Sequence, residues 1–480
     1  MRILIIIGVL AVFSGCNIHH SENNGYQAPL RSGQVDSLIQ KVTSGNAVIK
    51  SYLLTKSTKG KNVWMVTNTE KSDQSNLRIL IFAQQHGNEP SGKEALFRLI
   101  AEIAEKQWDD KLGGIELYLV PCMNPDGADL DQRRNGEGID QNRDHLLQQS
   151  VEVYALHRFF DSIQPHITVD IHEYYPYDSA CYRFGFLKQF DIQFGCLTNT
   201  NINASVLSYS KKKVLPFIEQ QVKNSGFSFF EYTVGSLAYN DKLRHSTVDI
   251  NDGRQSFGIR PGLSFIIEGI AGKTCGDNLP KRTKGQYATV KALLDFAREN
   301  RTEIFELVNH ARENPVAYPK SIALRLDHFK TDSMLHYPLY NIAAGKDSVF
   351  IVSDFLPLIR SDVMTEAPKG YLIPKNDTML LKFVQHYGFV CQNCTVKTAY
   401  AFAIDSVSTT IVEENNTPLP WFRRKKTQIN PGSYVYLDVN QPKGLALILA
   451  LEPQSSVGLV VYSQFDYLIR QSVYPVLRVE

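Results

Sequence analysis

A chain of 480 residues, 43% hydrophobic and 21% charged, buries a large core and is long enough for two domains. With 51 Lys and Arg against 49 Asp and Glu, its net charge of +2 excludes a chain-wide polyanion-binding surface. The basic runs 211–213 and 423–426 are too short to make one, so no nucleic-acid partner is expected.

Arg2, the apolar run 3–13 and Ser14-Gly15-Cys16 resemble a bacterial lipoprotein signal peptide, with Phe13 in place of the usual leucine-like residue. Residues 1–15 are then a leader, and a lipidated Cys16 is the only membrane contact of an exported, tethered protein. Residues 16–45 form the tether and extension. No later apolar run reaches the roughly 18 residues that span a bilayer. Cys122, Cys181, Cys196, Cys275, Cys391 and Cys394 remain, an even number that permits disulfides in an oxidising compartment. The Cys391/Cys394 spacing suits a local bridge or two free thiols better than a metal pair, and Cys122 is expected as a core thiol.

Residues 79–83 read as a buried strand running into His86, Glu89 and Pro90. Pro90 suits a first helical turn, where its missing N–H costs nothing, and Leu96, Leu99, Ile100 and Ile103 give that helix an apolar face. His86 and Glu89 then stand beyond the carboxyl end of a strand, where open α/β sheets bind ligands, and imidazole and carboxylate are good zinc donors. Alone, they suit an ordinary helix start equally well. Residues 115–120 form the next strand and complete a β-α-β unit. Asn124-Pro125-Asp126-Gly127 reads as a turn. In the polar loop 133–144, Arg133, Arg134 and Arg143 suit a carboxylate or a developing oxyanion.

A β-branched strand within 165–175 carries His172 at its carboxyl end, the third donor that the first pair lacks. Asp170, on the same strand face, either orients a ligand histidine or pairs with an arginine. A fourth strand, 263–269, ends near Glu268, a carboxylate that is costly at that depth unless it faces a cleft or pairs with an arginine such as Arg260. The aromatic run 184–194 and loop 196–201 suit a wall over the cleft. Arg254 reads better as a surface charge than as a reader of acidic side chains. A helix over 286–312 closes a first domain at 46–312. Pro315 and Pro319 mark a linker, and strands at 348–352, 398–404, 433–439 and 446–451 make 315–480 a smaller β-rich, sandwich-like domain.

In order along 79–268, H-x-x-E, N-P-D-G, an arginine ahead of D-x-N-R, D-x-H and a strand-end glutamate resemble the zinc carboxypeptidase (funnelin, metallocarboxypeptidase) family. The resemblance implies an α/β fold, a mixed sheet flanked by helices, followed by the β-rich domain. It implies one zinc ion held by His86, Glu89 and His172, and a substrate carboxylate held by Asn142 and Arg143. It also implies an oxyanion site at Arg133, or at its neighbour Arg134, and Glu268 as general base. The implied activity is hydrolysis of the C-terminal peptide bond of substrates with a free carboxyl terminus, by a monomer. Digestive members add a mobile tyrosine, for which Tyr232 and Tyr239 are candidates and Tyr239 the one named. The alternatives are a deacylase or amidase of N-acyl amino acids or a cell-wall peptide hydrolase on the same fold, and a non-catalytic peptide- or glycan-binding surface lipoprotein.

Overall fold

The computed structural model describes residues 25–69, 73–177, 180–238, 241–313, 321–412 and 415–480. The leader 1–15, Cys16, Tyr239 and the linker prolines Pro315 and Pro319 lie outside the described residues. Helix α1 (Ser32–Thr43) buries Val35 and Ile39. Strands β1 (Lys50–Lys56), β2 (Asn62–Thr67) and β3 (Leu77–Ala83) follow, then helix α2 (Ser91–Ala104) and β4 (Ile115–Val120). Helices α3 (Pro125–Leu130) and α4 (Val151–Ile163) precede β5 (Ile167–Tyr174). Short strands β6 (Phe186–Leu187), β7 (Ile192–Gly195), β8 (Phe229–Glu231), β9 (Thr233–Ala238) and β10 (Asp241–His245) lead to α5 (Gly253–Gly258) and β11 (Leu263–Ile270).

Eight of these strands form one mixed sheet in the order β1-β2-β4-β3-β5-β11-β7-β8. Its centre, β4, β3, β5 and β11, is parallel. Every residue of β3 and β4 is buried, as a central strand covered on both faces requires. Ile79, Ile81 and Ala83 pack in one core with Leu96, Leu99, Ile100 and Ile103 of α2, while Leu80 and Phe82 pack with Leu156, Phe160 and Ile163 of α4 in the other. The path through α2 carries the chain from β3 to β4 on one side, and the next connection returns it past β3 to β5. The crevice beyond the ends of β3 and β5 is therefore a topological switch point.

Two expectations change. The N-P-D-G segment opens helix α3 instead of a turn, because Asn124 Oδ1 accepts from the Gly127 N–H at 2.8 Å and Pro125 fits the first turn. The helix expected over 286–312 is a pair, α6 (Leu279–Glu299) and α7 (Arg301–Glu313). They part at Asn300, whose side-chain amide donates to Phe296 O at 2.9 Å and competes with the helical ladder.

Beyond residue 320, β12 (Ser321–Phe329) pairs with β15 (Leu358–Glu366), and β13 (Leu335–Asn341) pairs with β14 (Lys346–Val352) and with β6. A six-stranded antiparallel sheet then joins β16 (Gly370–Pro374), β17 (Cys391–Asn393), β18 (Thr398–Val412), β19 (Asn415–Gln428), β20 (Tyr434–Asp438) and β21 (Leu477–Val479). The inner face of this sheet, with Tyr371, Ile373, Phe402 and Leu437, packs with helices α8 (Thr378–Tyr387) and α9 (Gly444–Leu451). Residues 446–451, expected as a strand, lie in α9. An all-apolar run carries no period that separates a buried helix from a buried strand. The same cluster contains Leu293 and Ile304, so this region shares a core with the first sheet. All six cysteines among the described residues are free thiols, and burial pushes the Cys122 thiol up to about 11.

Two core groups give stability tests. Arg478 of β21 and Glu452, each 1% exposed, form a buried ion pair, with Tyr371 donating to Glu452 at 2.7 Å and Arg478 donating to Thr365 Oγ1 at 3.1 Å. Arg478→Met strands the Glu452 charge in the core and is expected to cost about 3–5 kcal/mol in denaturant unfolding. His166, fully buried ahead of β5, accepts from the Arg78 N–H at 3.1 Å. Burial, reinforced by Arg312 and Arg78, pushes it down to about 3. Below about pH 6.5 the unfolded chain binds a proton here that the folded chain refuses. This contribution to stability is therefore complete above pH 6.5 and is lost as pH falls toward 3, by about 2 kcal/mol at pH 5. Between pH 7 and 5, His166→Asn is expected to lose that much less stability than the wild type in parallel denaturant titrations.

Candidate active site

The loop after β3 is shaped by its backbone. Gln84 adopts a left-handed φ of 56° and turns the chain out of the sheet. A Cβ on Gly87 would lie 2.1 Å from the Gly127 carbonyl carbon and 2.3 Å from Ala128 N, so glycine alone permits this crossing of two backbones. Asn124, fully buried, donates to Gln85 O at 3.0 Å and to Arg133 O at 3.2 Å. The N-P-D-G segment thereby fastens the His86 loop to the Arg133 loop.

His86 and Glu89 from this loop meet His172 from β5, all three buried. His86 Nδ1 lies 2.8 Å from Glu89 Oε1, His172 Nδ1 lies 2.9 Å from Glu89 Oε2, and the two Nδ1 atoms are 3.1 Å apart. The far nitrogens face carboxylates: His86 Nε2 is 3.1 Å from Asp140 Oδ1, and His172 Nε2 is 2.9 Å from Asp170 Oδ1. A hydrogen on each Nε2 leaves both Nδ1 lone pairs and the Glu89 oxygens turned on one another, an arrangement that a cation among them relieves. Donors around a tetrahedral zinc lie about 3.3 Å apart, so the set would take that ion after opening by up to about half an ångström. The electrostatics agree. Against the cost of burial, Asp170 and Glu89 raise the proton affinity of His172 well above the ordinary imidazole range. Likewise, although burial opposes it, His86 and Arg133 hold the Asp140 carboxyl well below its ordinary range.

One cleft of about 990 Å³ is lined by the three donors together with Arg133, Asn142, Arg143 and Glu268. Glu268 stands in register with His172 across the β5/β11 pair. Burial and the neighbouring Glu89 push its carboxyl up to about 7, against His172, His86 and Tyr232. Arg260 is not its partner; that guanidinium donates to Asp161 at 2.7 Å from beyond the amino end of β11. Arg133 leans over the donor set, with Nη1 3.2 Å from His86 Nδ1 and Nε donating to Asp140 Oδ2 at 2.9 Å. Arg134 instead donates to Gly138 O at 3.0 Å and does not line the cleft. Arg143 donates to Asn142 O at 2.7 Å, and despite desolvation the carboxylates of Asp252, Asp140 and Asp249 keep its pKa raised. The Asn142 amide is turned inward, its Oδ1 accepting from Gly253 N at 2.8 Å.

The far wall is not the one expected. No residue of 184–201 lines the cleft among the described residues. Asn199 and Asn201 turn their amides inward to Val248 O and Ala323 O, both at 2.9 Å, and the wall comes from Tyr232, Val234, Arg244, Thr247 and Asp249. Arg254, expected on the surface, is 1% exposed and donates to Cys196 O, Thr247 O and Asp252. Sequence reasoning gave no role to Asp140, Gln85 or the Glu173–Arg282 pair. Arg282 Nε donates to Glu173 at 2.8 Å from 109 positions away, a distance at which no local pattern signals the contact.

Residues 35–161 match the zinc carboxypeptidase family profile. Carboxypeptidase 2 of Trichophyton tonsurans is 25% identical over 449 residues, covering 86% of this chain and 78% of the relative. Carboxypeptidase 2 of Trichophyton rubrum is 24% identical over 453 residues, with the same coverage of each chain. A solved metallo-carboxypeptidase from Burkholderia cenocepacia is 17% identical, with 57% of this chain and 70% of that chain covered at a TM-score of 0.44. No helix of the described residues is long and apolar enough to cross a membrane. The profile match from α1 into α4, and curated carboxypeptidases matched over most of its length, make this chain similar to the zinc carboxypeptidases.

Proposed function

We propose that the chain is a zinc-dependent exopeptidase that removes the C-terminal residue of peptides. The reading is carried by the three buried acceptors of His86, Glu89 and His172, which converge in the same cleft as Glu268 and Arg143. These three residues would hold one zinc ion, which supplies Lewis-acid polarisation of a carbonyl and lets water ionise near neutral pH. The Arg143 guanidinium binds the terminal carboxylate and so selects the last peptide bond, with Asn142 fixing the loop that carries it. Glu268 takes the proton from the attacking water and returns it to the leaving amine. Its burial favours that exchange, because a carboxyl raised to about 7 is near the pH at which it works. The Arg133 guanidinium stabilises the negative charge that grows on the carbonyl oxygen, a contribution of about 2.7–4 kcal/mol for a donor of this kind. The pattern of Arg2, the apolar run and Cys16 supports export with attachment through Cys16.

A panel of peptides, muropeptides and N-acyl amino acids, each free or amidated at the carboxyl terminus, tests this reading. Cleavage is expected only with a free terminus. Arg143→Ala is expected to lower kcat/KM on free peptides about 100-fold, the loss of a charge-assisted carboxylate contact. Equal rates on amidated and free peptides would remove the exopeptidase reading.

A further inference from the structure

A line of buried polar groups runs from the metal-donor set through the core to the C-terminal region, and the proposed chemistry uses none of its histidines. Arg260 Nη2 donates to His157 Nδ1 at 2.8 Å, and His157 Nε2 lies 3.0 Å from His145 Nδ1. His145 Nε2 lies 2.8 Å from Gln85 Oε1, and Gln85 Nε2 donates to Asp170 Oδ2 at 2.9 Å. The other Asp170 oxygen is the one that faces His172. His145 and His157 are at most 1% exposed, and neither lines the cleft.

The chemistry of the end groups fixes every hydrogen. Arginine only donates, so His157 Nδ1 accepts and its hydrogen sits on Nε2. That hydrogen points at His145 Nδ1, which places the second hydrogen on His145 Nε2, facing the Gln85 carbonyl oxygen. The Gln85 amide then donates to Asp170. All donors point the same way, and an additional proton on either ring would set two donors face to face. Burial lowers both imidazoles in keeping with this, His145 to about 3. Phe257 fixes the His157 ring, with centroids 4.7 Å apart. At the outer end, Arg260 Nη1 and Lys443 Nζ each donate to Asp161 at 2.7 Å, and Lys443 also donates to Tyr387 O at the end of α8, at 2.6 Å.

We propose that His157, His145 and Gln85 form a positioning relay that holds Asp170, and through it the His172 ring, and that Asp161 and Lys443 anchor this relay to the C-terminal region. The proposal rests on the reading of His172 as a zinc donor. The relay sets how firmly zinc is held, because the orientation of a ligand imidazole follows the carboxylate behind it.

The test measures the zinc dissociation constant of the full chain by competition with a chromophoric chelator, with the absorption spectrum of the cobalt-loaded protein as a second readout. His157→Phe removes both the acceptor and the donor and is expected to weaken zinc binding about 10-fold and to alter the cobalt bands. His157→Gln keeps one acceptor and one donor and is expected to stay within about 2-fold of the wild type. Asp161→Asn, remote from the metal and partly exposed, is expected to weaken binding about 3-fold and decides the matter if His157→Phe does not fold. Wild-type zinc affinity and cobalt spectra in the folded variants would overturn the relay alone. A wild-type chain that binds no zinc would overturn the relay together with the zinc reading beneath it.

Discussion

Glu268→Gln is expected to lower kcat by about 10³–10⁴-fold, because one side chain serves as both base and acid in the proposed reaction. Glutamine keeps the size and the hydrogen-bonding edge of the residue but neither takes up nor returns a proton. Glu268 is not among the three converging donors, so the zinc content of the variant should match the wild type by elemental analysis. Stability should not fall either. Burial pushes the wild-type carboxyl up to about 7, which makes its charged form the unfavourable one in the fold, and an uncharged amide carries no such cost. Loss of kcat with intact zinc and unchanged melting is therefore the signature. A variant that keeps more than about a tenth of the wild-type rate would rule out Glu268 as the base.

Removing the metal should have the other large effect. Dialysis against a chelator is expected to lower activity to below about 1%, and stoichiometric zinc should restore it, since without the ion the water that Glu268 must deprotonate keeps the high pKa of bulk water. Zinc that binds only the folded chain also stabilises it, by about 4 kcal/mol at a thousandfold excess over its dissociation constant, so the apo protein should melt earlier and recover on reloading. His172→Ala should mimic the chelator without recovery. It deletes one donor and leaves Asp170 and Glu89 without the imidazole between them. Full activity after exhaustive chelation would end the metal-dependent reading.

The central strands are legible because a parallel strand buried on both faces is rich in apolar and β-branched residues, as in 79–83 of β3, 117–120 of β4, 265–267 of β11 and the β-branched start of β5. Chemistry-bearing residues at their carboxyl ends stand out against that background, as His86, His172 and Glu268 do. The residues that tune them were not legible. Asp140 was visible only as a letter of D-x-N-R, although its carboxylate faces both His86 and Arg133. The cleft wall was misplaced because segment 184–201 is polar and aromatic in composition, yet its asparagines are spent on buried carbonyls. Arg254 read as a surface charge because local sequence does not reveal that Asp252 and two backbone carbonyls meet it in the interior. Tyr232 lines the cleft beside Glu268, but no neighbouring pattern distinguishes it from other aromatic residues.

The crossing of Gly87 over Gly127 bears on how an ion enters. Two main chains in direct contact, tied by Asn124 on either side, hold the His86 loop without help from any ligand. In small zinc domains the donors are scattered until the ion gathers them, and the ordering entropy is lost on binding. Here that entropy is lost when the sheet folds, so loading becomes a local exchange that leaves the rest of the fold untouched. Discrimination among divalent ions then falls to the spacing of rigid donors: an ion that demands six ligands cannot draw these three apart to suit itself.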